Sequence, residues 1–292
     1  MFATTNDGVN LYVEETGAGA PIVFVHEFGG DHRSWAPQVA HFSDRYRCIV
    51  YGARGYPPSD VPEDVESYTQ ARAVDDIRDV MDHLGIERAH IVGLSMGGFA
   101  TLHFGMTYSD RALSLVAASA GYGAEKEHEQ FFRDLSRAVA DEFESQGAEA
   151  YSHTYAMAAS RIPFLLKDPE GWKVFREMLG EHSATGSANT MRGVQAGRPS
   201  IYDLEDALRK ISAPTLIVVG DEDDHCLNPG LYLKRVIPAS GLIVMPKTGH
   251  ALNLEEPGLF NERVGLFLEE AEQGRWLPRD PRSEPSEIMK TK

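Results

Sequence analysis

The feature that most restricts the fold of this chain is an alternation of short apolar runs with segments of helical periodicity. Apolar runs at residues 21–26, 46–51, 89–94 and 112–118 have the length of strands that are covered on both faces. Residues 71–84 carry apolar side chains at helical spacing between two of these runs. Strands that alternate with helices over short connections pair in parallel through right-handed crossovers. The sequence therefore predicts a mostly parallel, doubly wound α/β sheet.

A long interval separates this pattern from its continuation. Further strands are predicted at 215–219 and 242–245, followed by a final amphipathic helix. The stretch between Ala118 and Thr215 is far longer than the dozen or so residues that a crossover needs. Because its apolar residues have helical spacing, it predicts a helical cap inserted at 122–209. An extended crossover packed as ordinary core is the alternative.

These patterns divide the chain into three parts. The sheet domain is predicted to be discontinuous, at 1–121 and 210–273, with the cap at 122–209 between its halves. Residues 274–292 carry prolines and mixed charge, which predicts a loosely held C-terminal tail.

Composition excludes several classes of function. The 292 residues include 28 Lys and Arg against 44 Asp and Glu, and the net charge of −16 disfavours binding to nucleic acids or anionic membranes. Two cysteines, Cys48 and Cys226, are too few for a disulfide framework or a cysteine-based zinc site. Neither a secretory leader nor a membrane-spanning run is visible. We expect a cytoplasmic protein that acts on a small molecule without metal or cofactor, and a homodimer is one oligomeric state that the sequence allows.

The segment G-L-S-M-G at residues 93–97 carries the clearest chemical signal. It follows an apolar strand and opens a predicted helix, which is the context that a nucleophile elbow requires. The turn is so tight that larger side chains at Gly93 and Gly97 would collide, and it presents the Ser95 hydroxyl outward above a helix N-terminus. A tight structural corner is the alternative.

A serine nucleophile needs an imidazole base that is oriented by a carboxylate. Of the eleven histidines, His250 alone follows the last predicted strand. The preceding strand ends in four carboxylates at residues 221–224, and their position alone does not choose among them. A calcium-binding loop fits this segment poorly, because its sixth position is Cys226 where glycine is required. The backbone N–H groups of Met96 and Phe28 are the expected donors to a developing oxyanion.

Several segments, in their order along the chain, resemble the α/β-hydrolase superfamily: the loop 26–30, Arg54-Gly55 with Ser59, the elbow, the G-D-E-D segment at 220–223 and Gly249-His250. The resemblance covers nearly the whole chain except the cap. It implies the second aspartate of the G-D-E-D segment, Asp223, as the catalytic acid, with Asp224 in reserve. It also implies structural roles for His26 and Arg54.

The sequence departs from the superfamily at Glu27, where glycine is common. A carboxylate beside the oxyanion hole would oppose the charge that must be stabilised there, unless it points away or is protonated. Glu27 is also one of the expected substrate contacts.

Because the nucleophile is a serine, the resemblance implies hydrolysis of a carboxylic ester or lactone through an acyl-enzyme. Hydrolysis of carbon–carbon bonds in ring-fission products, a small-molecule receptor, and cofactor-free oxygen or peroxide chemistry are alternatives on the same scaffold. In the cap, Tyr155, Trp172 and Arg192 are expected substrate contacts. Arg161 and Arg198, together with Arg192, are the candidate partners for a substrate carboxylate.

Overall fold

The computed structural model describes residues 1–283, which form eight strands and twelve α-helices. The strands are β1 (Phe2–Thr4), β2 (Asn10–Thr16), β3 (Ala20–Val25), β4 (Tyr46–Tyr51), β5 (Ala89–Leu94), β6 (Ala112–Ala118), β7 (Thr215–Gly220) and β8 (Ser240–Met245). The helices are α1 (Ala36–Phe42), α2 (Gln70–His83), α3 (Met96–Thr107), α4 (Lys126–Gln146), α5 (Ala148–Tyr155), α6 (Ile162–Lys167), α7 (Pro169–Gly180), α8 (Ala184–Asn189), α9 (Glu205–Leu208), α10 (Asp224–Val236), α11 (Leu252–Glu255) and α12 (Pro257–Glu272). A π-helical turn spans Thr190–Gln195, and 3₁₀ turns include His32–Trp35 and Ala159–Arg161.

All eight strands of the described chain join one sheet in the order β1-β2-β4-β3-β5-β6-β7-β8. The pairs β1–β2 and β2–β4 are antiparallel, and every other pair is parallel. This arrangement confirms the predicted fold class. Because the last six strands of the order run in one direction, the loops that follow their carboxyl ends meet at one edge of the sheet.

Apolar side chains cover both faces of this sheet. Along β3, Val23 and Val25 belong to one buried cluster with α2 and α3, whereas Ile22 and Phe24 belong to a second cluster with α12. The alternation follows from the pleat, which sends successive side chains to opposite faces. It explains why the central strands read as continuous apolar runs in the sequence.

The stretch between β6 and β7 is helical, as the spacing of its apolar residues predicted. Helices α4 to α9 lie there, and we call the region from Lys126 to Leu208 the cap. Phe143, Tyr151 and Leu179 from three of its helices form a buried cluster with Phe28 of the core. We propose that this region is a cap inserted into the sheet domain, with the boundaries 122–209 that the sequence predicted.

The start of the predicted C-terminal tail is packed on the core. The Trp276 ring lies 4.7 Å from that of Phe267 in an edge-to-face contact, and its indole N–H donates to Ala239 O at 3.1 Å. The remainder of the tail, 284–292, lies outside the described residues. Across residues 1–283, every helix is too short or too polar to span a bilayer.

Candidate active site

Ser95 occupies a strained turn between β5 and α3. Its backbone angles are φ 53° and ψ −112°, in the region that side chains rarely adopt. A Cβ at Gly93 would lie 2.1 Å from Gly97 O, and a Cβ at Gly97 would lie 2.0 Å from Val25 O. The Ser95 N–H donates to Ala118 O at 2.8 Å, which ties the turn to the neighbouring strand. The two glycines are therefore required by close packing, and the turn leaves the hydroxyl free of its own backbone.

Three side chains predicted from remote parts of the sequence form one hydrogen-bonded chain. The Ser95 Oγ lies 2.8 Å from His250 Nε2, and His250 Nδ1 lies 2.8 Å from Asp223 Oδ2. An ionised carboxylate only accepts, so Nδ1 carries the proton and Nε2 is left to accept from the hydroxyl. This is the tautomer in which an imidazole can take a proton from serine.

The sheet explains how Asp223 and His250 meet. They follow the carboxyl ends of β7 and β8, which are neighbours in the sheet. The Glu222 N–H donates to Thr248 O at 3.0 Å, and a Cβ at Gly220 would lie 2.1 Å from the same oxygen. The two loops are thus held in direct backbone contact.

The acidic segment after β7 presents one carboxylate to the imidazole. Asp223 is buried and bonded to His250, while Asp221, Glu222 and Asp224 are exposed. Burial would raise the pKa of the Asp223 carboxyl, but the charge of His250 and the hydrogen bond outweigh burial and lower that pKa. The carboxyl is therefore ionised near neutral pH and able to orient the ring.

Residues 1–283 contain two separate groups of side chains, each with ligand atoms close enough together to bind one metal ion. In the first, Asp223, Cys226 and His250 have donor atoms within 4.8 Å of one another. Both imidazole nitrogens of His250 are already engaged, by Ser95 and by Asp223, and burial raises the pKa of the Cys226 thiol. A metal there would have to displace the hydrogen-bonded chain. The second group, Glu125, Glu127 and His128, lies at the surface.

Two backbone N–H groups beside Ser95 are available to a ligand. The N–H groups of Met96 and Phe28 have no protein acceptor within residues 1–283. Met96 is the first residue of α3, where the helix has unsatisfied donors and a partial positive charge. The Phe28 carbonyl, by contrast, accepts from the Tyr56 hydroxyl at 3.0 Å, which fixes the loop.

Glu27 is buried in an ion pair with the cap. The Arg161 Nη1 lies 2.9 Å from Glu27 Oε1, and its Nη2 bonds the second carboxylate oxygen. The side chains are each only 2% exposed. The expected contact between Glu27 and substrate does not agree with this geometry, because both carboxylate oxygens are taken by the guanidinium. The charge that would oppose an oxyanion is neutralised by Arg161.

A cavity of about 350 Å³ lies between the cap and the sheet edge. Ser95 and His250 line it, as do Phe28 and Tyr155. Most of the other lining side chains are apolar or aromatic: Tyr122, Phe132, Leu135, Val139, Tyr151, Met157, Ala158 and Met191. Thr154, Ser160 and Gln195 add polar groups, and Arg161 and Arg198 add guanidinium groups. Apolar walls with a few polar groups are typical of small-molecule sites.

Two of the expected substrate contacts lie outside this cavity. The Trp172 indole packs between cap helices with Phe164 and Phe175, and its N–H donates to Ala156 O at 2.8 Å. Arg192 faces away, towards the outer side of α4, where it pairs with Asp141 and Glu144 at the surface. The expected substrate contacts of Trp172 and Arg192 do not agree with this geometry. Of the cap residues expected to contact substrate, Tyr155 lines the cavity.

The sequence analysis missed two residues that touch His250. The Tyr122 ring packs edge-on against the imidazole with centroids 4.9 Å apart. The His250 N–H donates to Ser160 O at 3.3 Å, next to Arg161 in the cap. Neither residue belongs to a recognisable motif. Ser160 reaches His250 because the cap folds back over the sheet edge, whereas Tyr122 reaches it from the segment between β6 and α4. No local sequence pattern indicates either contact.

Comparisons with known proteins agree with this architecture. A 3-oxoadipate enol-lactonase of Acinetobacter baylyi is 31% identical over 272 residues, covering 92% of this chain and 96% of the relative. An uncharacterized carboxylesterase of Bacillus subtilis is 28% identical and covers 85% and 79%. The solved structure of a thermophilic esterase from Thermogutta terrifontis with malate bound has a TM-score of 0.82 and 28% identity, covering 93% of this chain and 98% of that structure's chain.

The family model described as the alpha/beta hydrolase fold matches residues 20–257. This match spans β3 to the start of α12 and includes Ser95, Asp223 and His250. The chain therefore belongs to the alpha/beta hydrolase fold family.

Proposed function

We propose that the protein is a serine hydrolase that cleaves a carboxylic ester or lactone of a small organic molecule. The observation that carries this proposal is the hydrogen-bonded series Ser95–His250–Asp223, which opens into a largely apolar cavity beside the backbone N–H groups of Phe28 and Met96. Such a site has a nucleophile, a base, an orienting acid and donors for an oxyanion. Family membership and the relatives that carry the names enol-lactonase and carboxylesterase support it.

In the proposed reaction, the Ser95 Oγ attacks the carbonyl carbon while His250 Nε2 accepts its proton. The negative charge that develops on the carbonyl oxygen is stabilised by the N–H groups of Phe28 and Met96. The tetrahedral intermediate expels the alkoxide, which takes the proton from His250 and leaves acyl-Ser95. Asp223 keeps the imidazole in its tautomer and stabilises its positive charge.

Deacylation repeats these steps with water as the nucleophile. His250 removes a proton from water, the resulting hydroxide attacks the acyl carbonyl, and Ser95 leaves after receiving the proton. For a lactone, the alcohol remains attached to the acyl group and is released with it as one hydroxy acid. The surrounding cavity favours an acyl group of modest size with apolar parts.

The proposal is tested with purified protein and a panel of 4-nitrophenyl esters of two to eight carbons, together with small lactones. We expect saturable turnover that falls at least 10³-fold in Ser95→Ala, since removing the nucleophile leaves only binding and the oxyanion donors. Ser109→Ala, which changes a serine remote from the cavity, is the matched control. Tight binding of a ligand without turnover would instead favour a receptor.

A further inference from the structure

One charged side chain in the cavity has no counter-ion. Arg198 lines the same cavity as Ser95 and His250, yet within residues 1–283 no Asp or Glu oxygen lies within 4.0 Å of its guanidinium. Arg161, the other cavity arginine, is neutralised by Glu27, and Arg192 is paired at the surface. Arg198 is also deeply buried, with 6% of the residue exposed.

The position of the Arg198 guanidinium is fixed by neighbouring groups. Its Cζ lies 3.6 Å from the centroid of the Phe99 ring and 5.0 Å from that of Phe132. The Nη2 donates to Tyr122 O at 2.7 Å, and the Nη1 donates to the amide oxygen of Gln195. A guanidinium has five N–H donors, so these bonds leave donors available to a ligand. The group is held rigidly and incompletely satisfied.

Burial of an unpaired charge is unfavourable, and it shifts the pKa of Arg198 towards the neutral form. Burial lowers the pKa of Arg198 to about 9, whereas arginine is ordinarily protonated at any pH a protein meets. The guanidinium remains charged near neutral pH. An anion that entered the cavity would relieve this cost, because it would supply the charge that the protein does not.

Tyr122 links Arg198 to the reacting centre. Tyr122 accepts a hydrogen bond from Arg198 through its carbonyl, and its ring packs against His250. Tyr122 therefore contacts both the Arg198 guanidinium and the His250 imidazole. Gln195 uses its amide oxygen for Arg198, so its amide nitrogen is a further donor in the same cavity.

We propose that Arg198, assisted by Gln195, binds a carboxylate on the substrate, so that the hydrolysed molecule is an acidic ester or lactone with its carboxylate a few bonds from the scissile carbonyl. A planar guanidinium matches a carboxylate, and a single unpaired positive charge balances one negative charge. The inference rests on the proposed hydrolase function and specifies its substrate class. Asp223 does not line the cavity, and its charge is engaged by His250.

The test compares two substrates that share the same acyl chain and differ in charge. These are the mono-4-nitrophenyl ester of glutaric acid and the same compound with its free carboxyl methylated. In the wild-type protein we expect kcat/KM at least ten-fold higher for the acid. In Arg198→Met this preference should disappear, in Arg198→Lys it should be partly kept, and in the matched control Arg192→Met it should be unchanged.

Two results would overturn the inference while leaving the hydrolase proposal intact. One is a wild-type protein that prefers the methylated compound. The other is an Arg198→Met protein that hydrolyses the neutral compound and keeps the full preference for the acid. In that case Arg198 only secures the loop at Tyr122.

A second measurement does not depend on a folded Arg198→Met variant or on turnover. Calorimetry on the wild-type protein compares pentanoate with pentanamide, which have the same length and differ in charge. Binding of pentanoate at least ten-fold tighter than pentanamide supports the carboxylate-binding part of the inference, even if both 4-nitrophenyl esters are left intact and the hydrolase proposal fails. Equal or absent binding of the two overturns it.

Discussion

Glu27 and Arg161, 134 residues apart, form a bidentate ion pair that joins the loop beside the nucleophile to the cap. The adjacent cap residue, Ser160, accepts the backbone N–H of His250. One short cap segment therefore contacts the loops that carry two different parts of the candidate site. The pair fixes the relative position of cap and sheet edge where the proposed chemistry takes place.

Removing either partner of the Glu27–Arg161 ion pair should destabilise the protein. Glu27→Gln and Arg161→Met are each expected to lower the free energy of unfolding by about 3–5 kcal/mol, because a buried charge loses its partner. The double variant should lose less than the sum of the two. Urea denaturation measures these values, and we expect Glu27→Gln not to increase ester hydrolysis.

Arg192→Met is the control for this prediction, since it removes an arginine from an exposed pair on the same cap. Its effect should stay within about 1 kcal/mol. If the buried and exposed variants lose equal stability, the pair between Glu27 and Arg161 does not hold the cap in place.

Asp223 should be distinguishable from its acidic neighbours by kinetics. Asp223→Asn is expected to reduce kcat on a 4-nitrophenyl ester by about 10⁴-fold, because an amide favours the wrong imidazole tautomer. Asp224→Asn changes an exposed carboxylate one residue away and should retain most of the activity. An active Asp223→Asn protein with an inactive Asp224→Asn protein would reverse the assignment.

Gly97 and Gly258 allow a matched test of the turn at Ser95. Each is the second residue of its helix, in α3 and α12 respectively. A Cβ at Gly97 would lie 2.0 Å from Val25 O, whereas no atom of the described part of the chain lies within 4 Å of a Cβ at Gly258. Gly97→Ala should therefore abolish ester hydrolysis and lower the melting temperature. Gly258→Ala should leave both unchanged or raise stability by up to about 1 kcal/mol. An active Gly97→Ala protein would show that the turn tolerates a side chain.

Buried histidines should make the protein sensitive to mild acid. His182 packs edge-on against Tyr56, and neither of its ring nitrogens has a hydrogen-bond partner within residues 1–283. Burial lowers its pKa to about 4, although Asp31 at 4.0 Å acts in the opposite direction. The unfolded chain, with a histidine pKa near 6.5, binds the proton more readily. The stability associated with neutral His182 is therefore complete above pH 6.5 and is lost as the pH falls towards 4.

His182→Phe keeps the aromatic contact and removes the titration. Between pH 6.5 and 5, its free energy of unfolding should fall less steeply than that of the wild-type protein, with a difference that grows to at most about 3 kcal/mol near pH 4. His153→Phe changes an exposed cap histidine and should leave the slope unchanged. Equal slopes in the wild-type and His182→Phe proteins would contradict the assignment.

The core of the fold was predictable because its signals are local. A strand, a tight turn and a helix around Ser95 lie within a few residues of one another, and alternating apolar runs report a sheet covered on both faces. Helix α10 was missed because it begins in an acidic segment and contains Pro229, which argues against a helix interior. The family resemblance singled out Asp223 where strand position allowed four carboxylates.

The cap residues were less predictable because their orientation depends on tertiary packing. Trp172 and Arg192 have the size and charge of substrate contacts, yet the rotation of their helices points one into the cap interior and the other to the surface. Glu27 looked unfavourable beside an oxyanion until its partner was known, and no pattern links it to Arg161. An ion pair between residues so far apart in the sequence is identified only from the three-dimensional structure.

The central claim is that Ser95 is the nucleophile, and covalent labelling tests it most directly. After incubation with a fluorophosphonate probe, mass spectrometry of the wild-type protein should find one adduct, on the peptide that contains Ser95. The Ser95→Ala protein should remain unlabelled, and His250→Ala should label far more slowly. An adduct that persists in Ser95→Ala, or that maps to a different residue in the wild-type protein, would contradict the account.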